Sequence, residues 1–276
     1  MAKGRLKNHA VETIGRLAAG VMVVFLILPL AGLLVRVSPR ALVARLGQPV
    51  VLDALRLSLL TSLGSTAVVV TFGLPLATLL ATRSFRGKRL IETLVDLPMV
   101  LPPTVAGVGL LLAFGRTGLL GGVLSVFGVT IPFTTAAVVL AQTFVAAPFF
   151  VAAVTAGLSE IEPRYLDAAA TLRASPATRF FRVMLPLALP SVVAGAAISW
   201  ARALGESGAT ITFAGNLPGV TQTMPLAVYM ALQSYLEASV TLAVLLLAVS
   251  CALLFAFRSL PLRPLSRRNR AASLDR

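Results

Sequence analysis

The sequence predicts an all-α integral membrane protein with six transmembrane helices. Three observations predict it. Of its 276 residues 57% are hydrophobic and only 12% charged, where a soluble domain carries roughly 25%. The mean hydropathy is +0.92, and apolar runs of bilayer-spanning length recur along the chain. Lys and Arg gather between those runs, so the net charge of +14 reads as membrane orientation and not as nucleic-acid binding. The one cysteine, Cys251, lies inside an apolar run, which leaves no disulfide framework.

The first span is 17–35. Lys3, Arg5, Lys7 and Arg16 precede it, but the run is long for a signal peptide and no small-x-small site follows, so an uncleaved helix is expected. The second is 57–81, with a kink expected at Gly73 and Pro75. The third, 97–114, opens on the proline-rich LPMVLPP. The fourth is 134–157, with Pro148 inside it. The fifth is 187–205 and the sixth 239–257. Two apolar stretches, 119–127 and 224–235, are too short to span. Each reads as a loop packed on the bundle or as a re-entrant piece.

Basic residues set the orientation. With the N-terminus inside, segments 1–16, 82–93, 158–186 and 258–276 hold 18 of the 24 Lys and Arg. The outer segments hold Arg36, Arg40, Arg45, Arg56 and Arg116, and Arg202 falls within a span. Both termini and the segment 158–186 are therefore expected in the cytoplasm. The tail from 259 reads as solvated and disordered.

Little in the chain can do chemistry. The only histidine, His9, lies in the polar N-terminus, which argues against a His-based metal or nucleophile site. No GxxxxGK[ST] run is present, so the chain has no phosphate cradle of its own. The spans lack the buried acid and histidine chain of a proton-coupled carrier. Asp96, the one acid near a span, is expected at the cytoplasmic edge.

The polar island 158–186 stands out between two apolar spans. Glu160, Glu162 and Pro163 look like a helix start. An alanine-rich helix follows from Tyr165 to Leu172, Ser175-Pro176 breaks it, and a second helix over 177–184 leads into span five. The small side chains of Ala168 and Ala169 would let a partner's groove approach closely. The alternative is a loop that merely caps the bundle.

Run 165–186 resembles the EAA loop of ABC-transporter permeases of the type I importer class. The pattern there is Glu-Ala-Ala, three residues, Gly, nine residues, then Ile-x-Leu-Pro. Here Asp167-Ala168-Ala169, Arg173 and then Val183-Met184-Leu185-Pro186 stand at those places with the same spacing. The departures are Asp for Glu, Val for Ile and Arg for Gly. A residue with a Cβ takes positive φ only at a cost, so the turn is expected elsewhere, around Ser175-Pro176. The resemblance implies the ABC type I importer permease fold. It also implies a coupling helix seated on a separate ATPase through Tyr165, Asp167, Ala168, Ala169, Leu172, Arg173 and Pro186.

A second run, ISWARALGESGATITFAGNLPGVTQTMPLAVY at 198–229, resembles the permeases of molybdate importers and their sulfate relatives. Residues 97–121 are similar to the same group. Arg202 and Glu206 are four apart on one helical face and can pair. They read either as a structural ion pair or as part of the outer mouth of a path, with Ser207, Gly208, Thr210 and Asn216 beside them. Glu206-Ser207-Gly208 and Gly215-Asn216 are expected to offer flexible backbone with free N–H groups.

The expected organisation is an N-terminal segment over 1–49, a permease domain over 50–258 and a basic tail over 259–276. The resemblance implies a non-enzymatic subunit with no cofactor, ATP and Mg²⁺ being bound by the partner. The implied partners are a second copy of the chain, two copies of a cytoplasmic ABC ATPase, a periplasmic or lipid-anchored molybdate-binding protein and the lipid bilayer, with no nucleic acid. The location is a bacterial or archaeal cytoplasmic membrane. Sulfate or thiosulfate is the alternative substrate, and a membrane scaffold without transport the alternative class.

Overall fold

The computed structural model describes residues 2–259, all helices and connections. The tail 260–276 and the His9 side chain lie outside what is described. Five helices have the length and hydropathy of a span: Glu12–Val35, Pro49–Thr82, Thr135–Ser159, Pro176–Leu204 and Leu236–Ala256. A bent pair supplies the sixth.

α1 (Ala2–Val35) is a single helix, exposed over 12–35 apart from a few half-buried positions. A short α2 (Pro39–Leu46) follows. α3 (Pro49–Thr82) starts at Pro49, whose missing N–H costs nothing in a first turn. It begins eight residues before the predicted second span and runs unbroken through Gly73 and Pro75. Gly73 serves close packing, since a Cβ there would press into the Phe150 ring.

The third span differs from the expected continuous helix over 97–114. α4 (Lys88–Val100) and α5 (Pro103–Phe114) meet at an angle of 119°. The prolines explain the break. Leu101 precedes Pro102 and Pro102 precedes Pro103, which drives both to extended backbone, with ψ of 132° and 136°. α4 lies along the C-terminal half of the fourth span and α5 along its N-terminal half.

The stretch 119–127 contains a short helix, α6 (Gly121–Val126). α7 (Thr135–Ser159) is the fourth span. Thr134 caps it, its hydroxyl accepting from the Ala137 N–H at 3.3 Å. α7 packs between α3 and the fifth span, and these three helices form the centre of the fold. Their contact faces carry small residues, among them Ala77, Ala141, Ala146 and Ala188. In lipid no hydrophobic drive brings helices together, so close backbone approach has to do it.

The core falls into three clusters. At the C-terminal end of α7, one joins α3, α7 and the fifth span through Val69, Leu80, Phe150, Val154, Met184 and Val192. The opposite half packs α5 against α7 on one side. On the other side it packs α3 against α12 (Met224–Ser234) and α13 (Leu236–Arg258), the sixth span. α12 occupies the second short stretch. It is an embedded helix and not a surface loop, with Met224, Leu226 and Ala227 buried and the Met224 N–H donating to Ser58 Oγ of α3 at 2.6 Å.

Candidate functional site

The polar segment 158–186 hangs from the C-terminal end of α7. α8 (Pro163–Thr171) has Pro163 in its first turn and Glu162 before it, with Glu162 paired to Arg164 at 2.6 Å. Tyr165 is partly exposed, and Asp167 and Ala168 are exposed. Ala169 is buried. It takes part in the packing of α8, whereas Asp167 and Ala168 stand in the open. Three residues on, Leu172 is 83% exposed, an apolar side chain held in the open.

The turn after α8 lies at Arg173 itself, not around Ser175-Pro176. Arg173 has φ of 53°. Its N–H donates to the Ala170 carbonyl at 2.9 Å, and the Ala174 N–H to the Ala169 carbonyl at 3.0 Å. These two bonds make the paired helix stop usually built on glycine. Ser175 then caps α9 (Pro176–Arg179) by accepting from the Thr178 N–H at 3.1 Å.

The second helix of the segment is continuous with the membrane. α9 runs through a π-helical turn, Phe180–Met184, into α10 (Leu185–Leu204), the fifth span. The Leu185 N–H reaches five residues back to the Phe180 carbonyl. Pro186 accounts for the wider turn, because its ring would clash with the carbonyl four residues before it in a regular helix. Pro186 is exposed in the first turn of α10, directly after this joint. A groove of about 630 Å³ between the inner end of α3 and this segment is lined by Leu79, Arg83, Leu166, Pro176, Arg179 and Phe180.

At its other end α10 breaks inside the opposite half of the bundle. Ser199 donates to the Ala146 carbonyl at 3.0 Å, and Trp200 Nε1 to Ser62 Oγ at 3.0 Å. Gly205 stops the helix, and α11 (Gly208–Ala214) continues it. The Phe133 N–H meets the Phe213 carbonyl at 3.4 Å, which fixes the end of α11 beside the start of α7. Glu206 lies between these anchors, seven residues after Ser199 and seven before Phe213.

Glu206 is only 1% exposed, and it bridges the break. One carboxylate oxygen pairs with Arg202 at 2.8 Å, and the other accepts the Ala209 N–H at 2.9 Å. Of the N–H groups expected free at 206–208, that of Glu206 donates to the Ala203 carbonyl at 3.1 Å, and Gly208 opens α11, where a first-turn N–H has no partner within the helix. Gly208 is needed for close approach, since a Cβ would strike Pro103 at the start of α5. Gly107 is its counterpart on α5, with the Ala209 carbonyl and Thr212 in the way of any Cβ. Gly215 does turn the chain, at φ of 73°.

Several buried polar atoms near this break have no hydrogen-bond partner among the described residues. They are both amide atoms of Gln142 on α7, Thr210 Oγ1 on α11, Asn216 Oδ1 and Thr223 Oγ1. Leaving a polar atom unsatisfied costs about 1–3 kcal/mol, a need that water or another polar partner would meet. Sequence reading selected Thr210 and Asn216 but missed Gln142 and Thr223. A lone amide in the run VVLAQTFV was the available signal.

The family model for the inner membrane component of binding-protein-dependent transport systems matches residues 70–261. That match takes in α7, the coupling segment and both sides of the break in span five. The chain belongs to this family. Among its relatives, the molybdenum transport system permease protein ModB of Mycobacterium tuberculosis is 44% identical over 228 residues, 83% of this chain and 86% of the relative. ModB of Haemophilus influenzae is 43% identical over 66% of this chain and 80% of its own. The sulfate transport system permease protein CysT of Salmonella typhimurium is more distant, at 34% over 86% and 87%. A crystal structure of a bacterial alginate ABC transporter superimposes with a TM-score of 0.71 at 16% identity, covering 87% of this chain and 91% of that one. The fold is that of ABC importer permeases, and the inner membrane component is a multi-pass membrane protein.

Proposed function

We propose that the chain is the permease subunit of an ATP-driven molybdate importer, which also carries tungstate, an ion of the same charge and shape. The observation that carries this reading is the identity of 44% to molybdenum permeases over most of both chains, against 34% to a sulfate permease. Sulfate or thiosulfate remains the second reading on the strength of that more distant match.

Two copies of the chain pair in the membrane. Each offers one coupling segment, and an ATPase pair offers two grooves. α8 docks on the ATPase with Asp167, Ala168 and Leu172 outward, and both termini lie in the cytoplasm, as the distribution of basic residues supports. ATP and Mg²⁺ belong to that partner. A periplasmic or lipid-anchored binding protein delivers the oxyanion to the outer face.

The path runs along the pair's shared face, past the break at 205–207. Ser207 and Asn216, both half-buried, supply neutral hydroxyl and amide donors to a dianion there, and Arg202 supplies positive charge near the outer mouth. Neutral donors hold the ion weakly, which conduction requires. Tight capture is left to the binding protein.

The test is competition. Permease, ATPase and binding protein are reconstituted in vesicles, and ATP-dependent molybdate uptake is measured with excess tungstate or sulfate. Tungstate is expected to suppress uptake and sulfate to leave it nearly unchanged. Suppression by sulfate with none by tungstate would transfer the chain to the sulfate reading.

A further inference from the structure

The groove beside the end of α3 has the make-up of a site for an anionic amphiphile. Its volume of about 630 Å³ is within the roughly 300–1,000 Å³ of ligand pockets. Two charged residues line it, Arg83 of α3 and Arg179 of α9, and both are cations. Among the described residues neither enters an ion pair. The hydroxyls in the α3 wall, Thr78 and Thr82, donate to carbonyls of their own helix, so the guanidiniums are the side-chain donors left for a ligand. The rest of the lining is apolar, with Leu166 of α8, Phe180 and Met184 of the π turn, and Pro75 and Leu79 of α3. Leu79 and Pro75 continue along one face of α3 to Phe72, which is 72% exposed, because steps of three and four residues keep a helix face. The apolar helix ends at Thr82. Arg83 therefore stands where a basic side chain reaches headgroup depth.

We propose that this groove binds one anionic phospholipid, its phosphate held by Arg83 and Arg179 and an acyl chain laid along Leu79, Pro75 and Phe72. Guanidinium suits that role because its planar fork grips phosphate with two donors, and basic pockets between membrane helices take anionic headgroups in this way. A soluble anion would satisfy the arginines but leave the apolar lining and the stripe bare. A soluble protein is the competing occupant. Phe72 lies eleven residues before Arg83, about 16 Å into the span at 1.5 Å per residue, which is a depth for a lipid tail and not for a protein surface. One wall of the groove is α3 and another is the π turn, so the lipid ties the second span to the joint at the root of the fifth.

The test takes the full chain, alone and with its ATPase, from nanodiscs of mixed phosphatidylglycerol and phosphatidylcholine and identifies the lipid it keeps by native mass spectrometry. Thermal unfolding is the second readout. The parent is expected to keep one phosphatidylglycerol per chain in preference to phosphatidylcholine, with or without the ATPase. Added phosphatidylglycerol is expected to raise its unfolding temperature, and inorganic phosphate to leave it unchanged. R83Q and R179Q are each expected to weaken retention about fivefold, and L79S to weaken it without any change of charge. All three positions are at the surface of the groove, so in phosphatidylcholine alone the variants are expected to unfold as the parent does. Parent-like retention by the double variant R83Q/R179Q, or equal retention of the two lipids by the parent, would overturn the proposal. Protection by inorganic phosphate equal to that by phosphatidylglycerol would also overturn it and assign the arginines to a soluble anion. Loss of the lipid on binding the ATPase would overturn it in favour of a protein contact.

Discussion

Glu206 shows how one residue can hold a broken span in register. It is buried, while Arg202 keeps 30% of its side chain exposed. That asymmetry sets the expected cost of each substitution. R202A strands a buried carboxylate with a single N–H donor and is expected to cost about 3–5 kcal/mol. E206Q keeps the shape and the contact to Ala209, removes the charge, and leaves an arginine that water can reach. Its cost is expected at about 1–2 kcal/mol. Thermal unfolding in detergent checks the order, with R202A melting well below E206Q. Trp200 offers a smaller case. W200F removes the donor to Ser62 and is expected to cost about 1 kcal/mol, read in the same assay. The Arg202–Glu206 pairing was legible from the spacing of four. The depth of Glu206 was not, because it depends on where α10 stops, and Gly205 alone does not fix that. Arg173 was legible as a problem but not as its solution. Sequence says that a Cβ disfavours positive φ, and only the helix stop at Ala169 and Ala170 shows that the chain accepts the cost.

At the scale of elements, α9, the π turn and α10 form one continuous helix from the coupling segment to the break at Gly205. Displacement of α8 has a short mechanical route to Glu206, with the wide turn at Phe180–Met184 as the compliant joint. The two alanines of α8 separate docking from packing. A168E adds bulk and charge on the exposed face, so the permease is expected to fold and insert normally while ATP hydrolysis runs without uptake. A169E puts a charge into a buried position and is expected to unfold the segment, with lost expression or lost ATPase binding. Comparing hydrolysis with uptake in vesicles distinguishes the two. A pattern of helix formers placed α8 correctly, but periodicity over nine residues could not tell which alanine faces inward. The third span failed for a different reason. Hydropathy sums over 97–114 without regard to direction, and the consecutive prolines at 102 and 103 redirect the chain by 119°. Likewise 224–235 was too short to score as a span, and burial of α12 depends on Ser58 and α13, which lie far away in sequence.

For the whole molecule, composition and the spacing of apolar runs were enough to predict an all-helical membrane protein, since a bilayer admits few other solutions. The close α5–α11 contact belongs to this scale because it ties the third span to the far side of the break. G107V is expected to separate the two and abolish uptake while leaving ATPase docking intact, as co-purification with the ATPase would show. Exposed apolar faces on α1, α5 and α10 are what lipid and a second copy would cover. The central claim is that ATP consumed on the cytoplasmic side moves an oxyanion through this chain. Uptake of labelled molybdate by vesicles holding the permease, its ATPase and the binding protein tests it most directly. The account predicts accumulation that requires ATP and disappears in A168E while hydrolysis continues. A complex that assembles and hydrolyses ATP yet accumulates no oxyanion, or an A168E variant that transports as well as the parent, would contradict it.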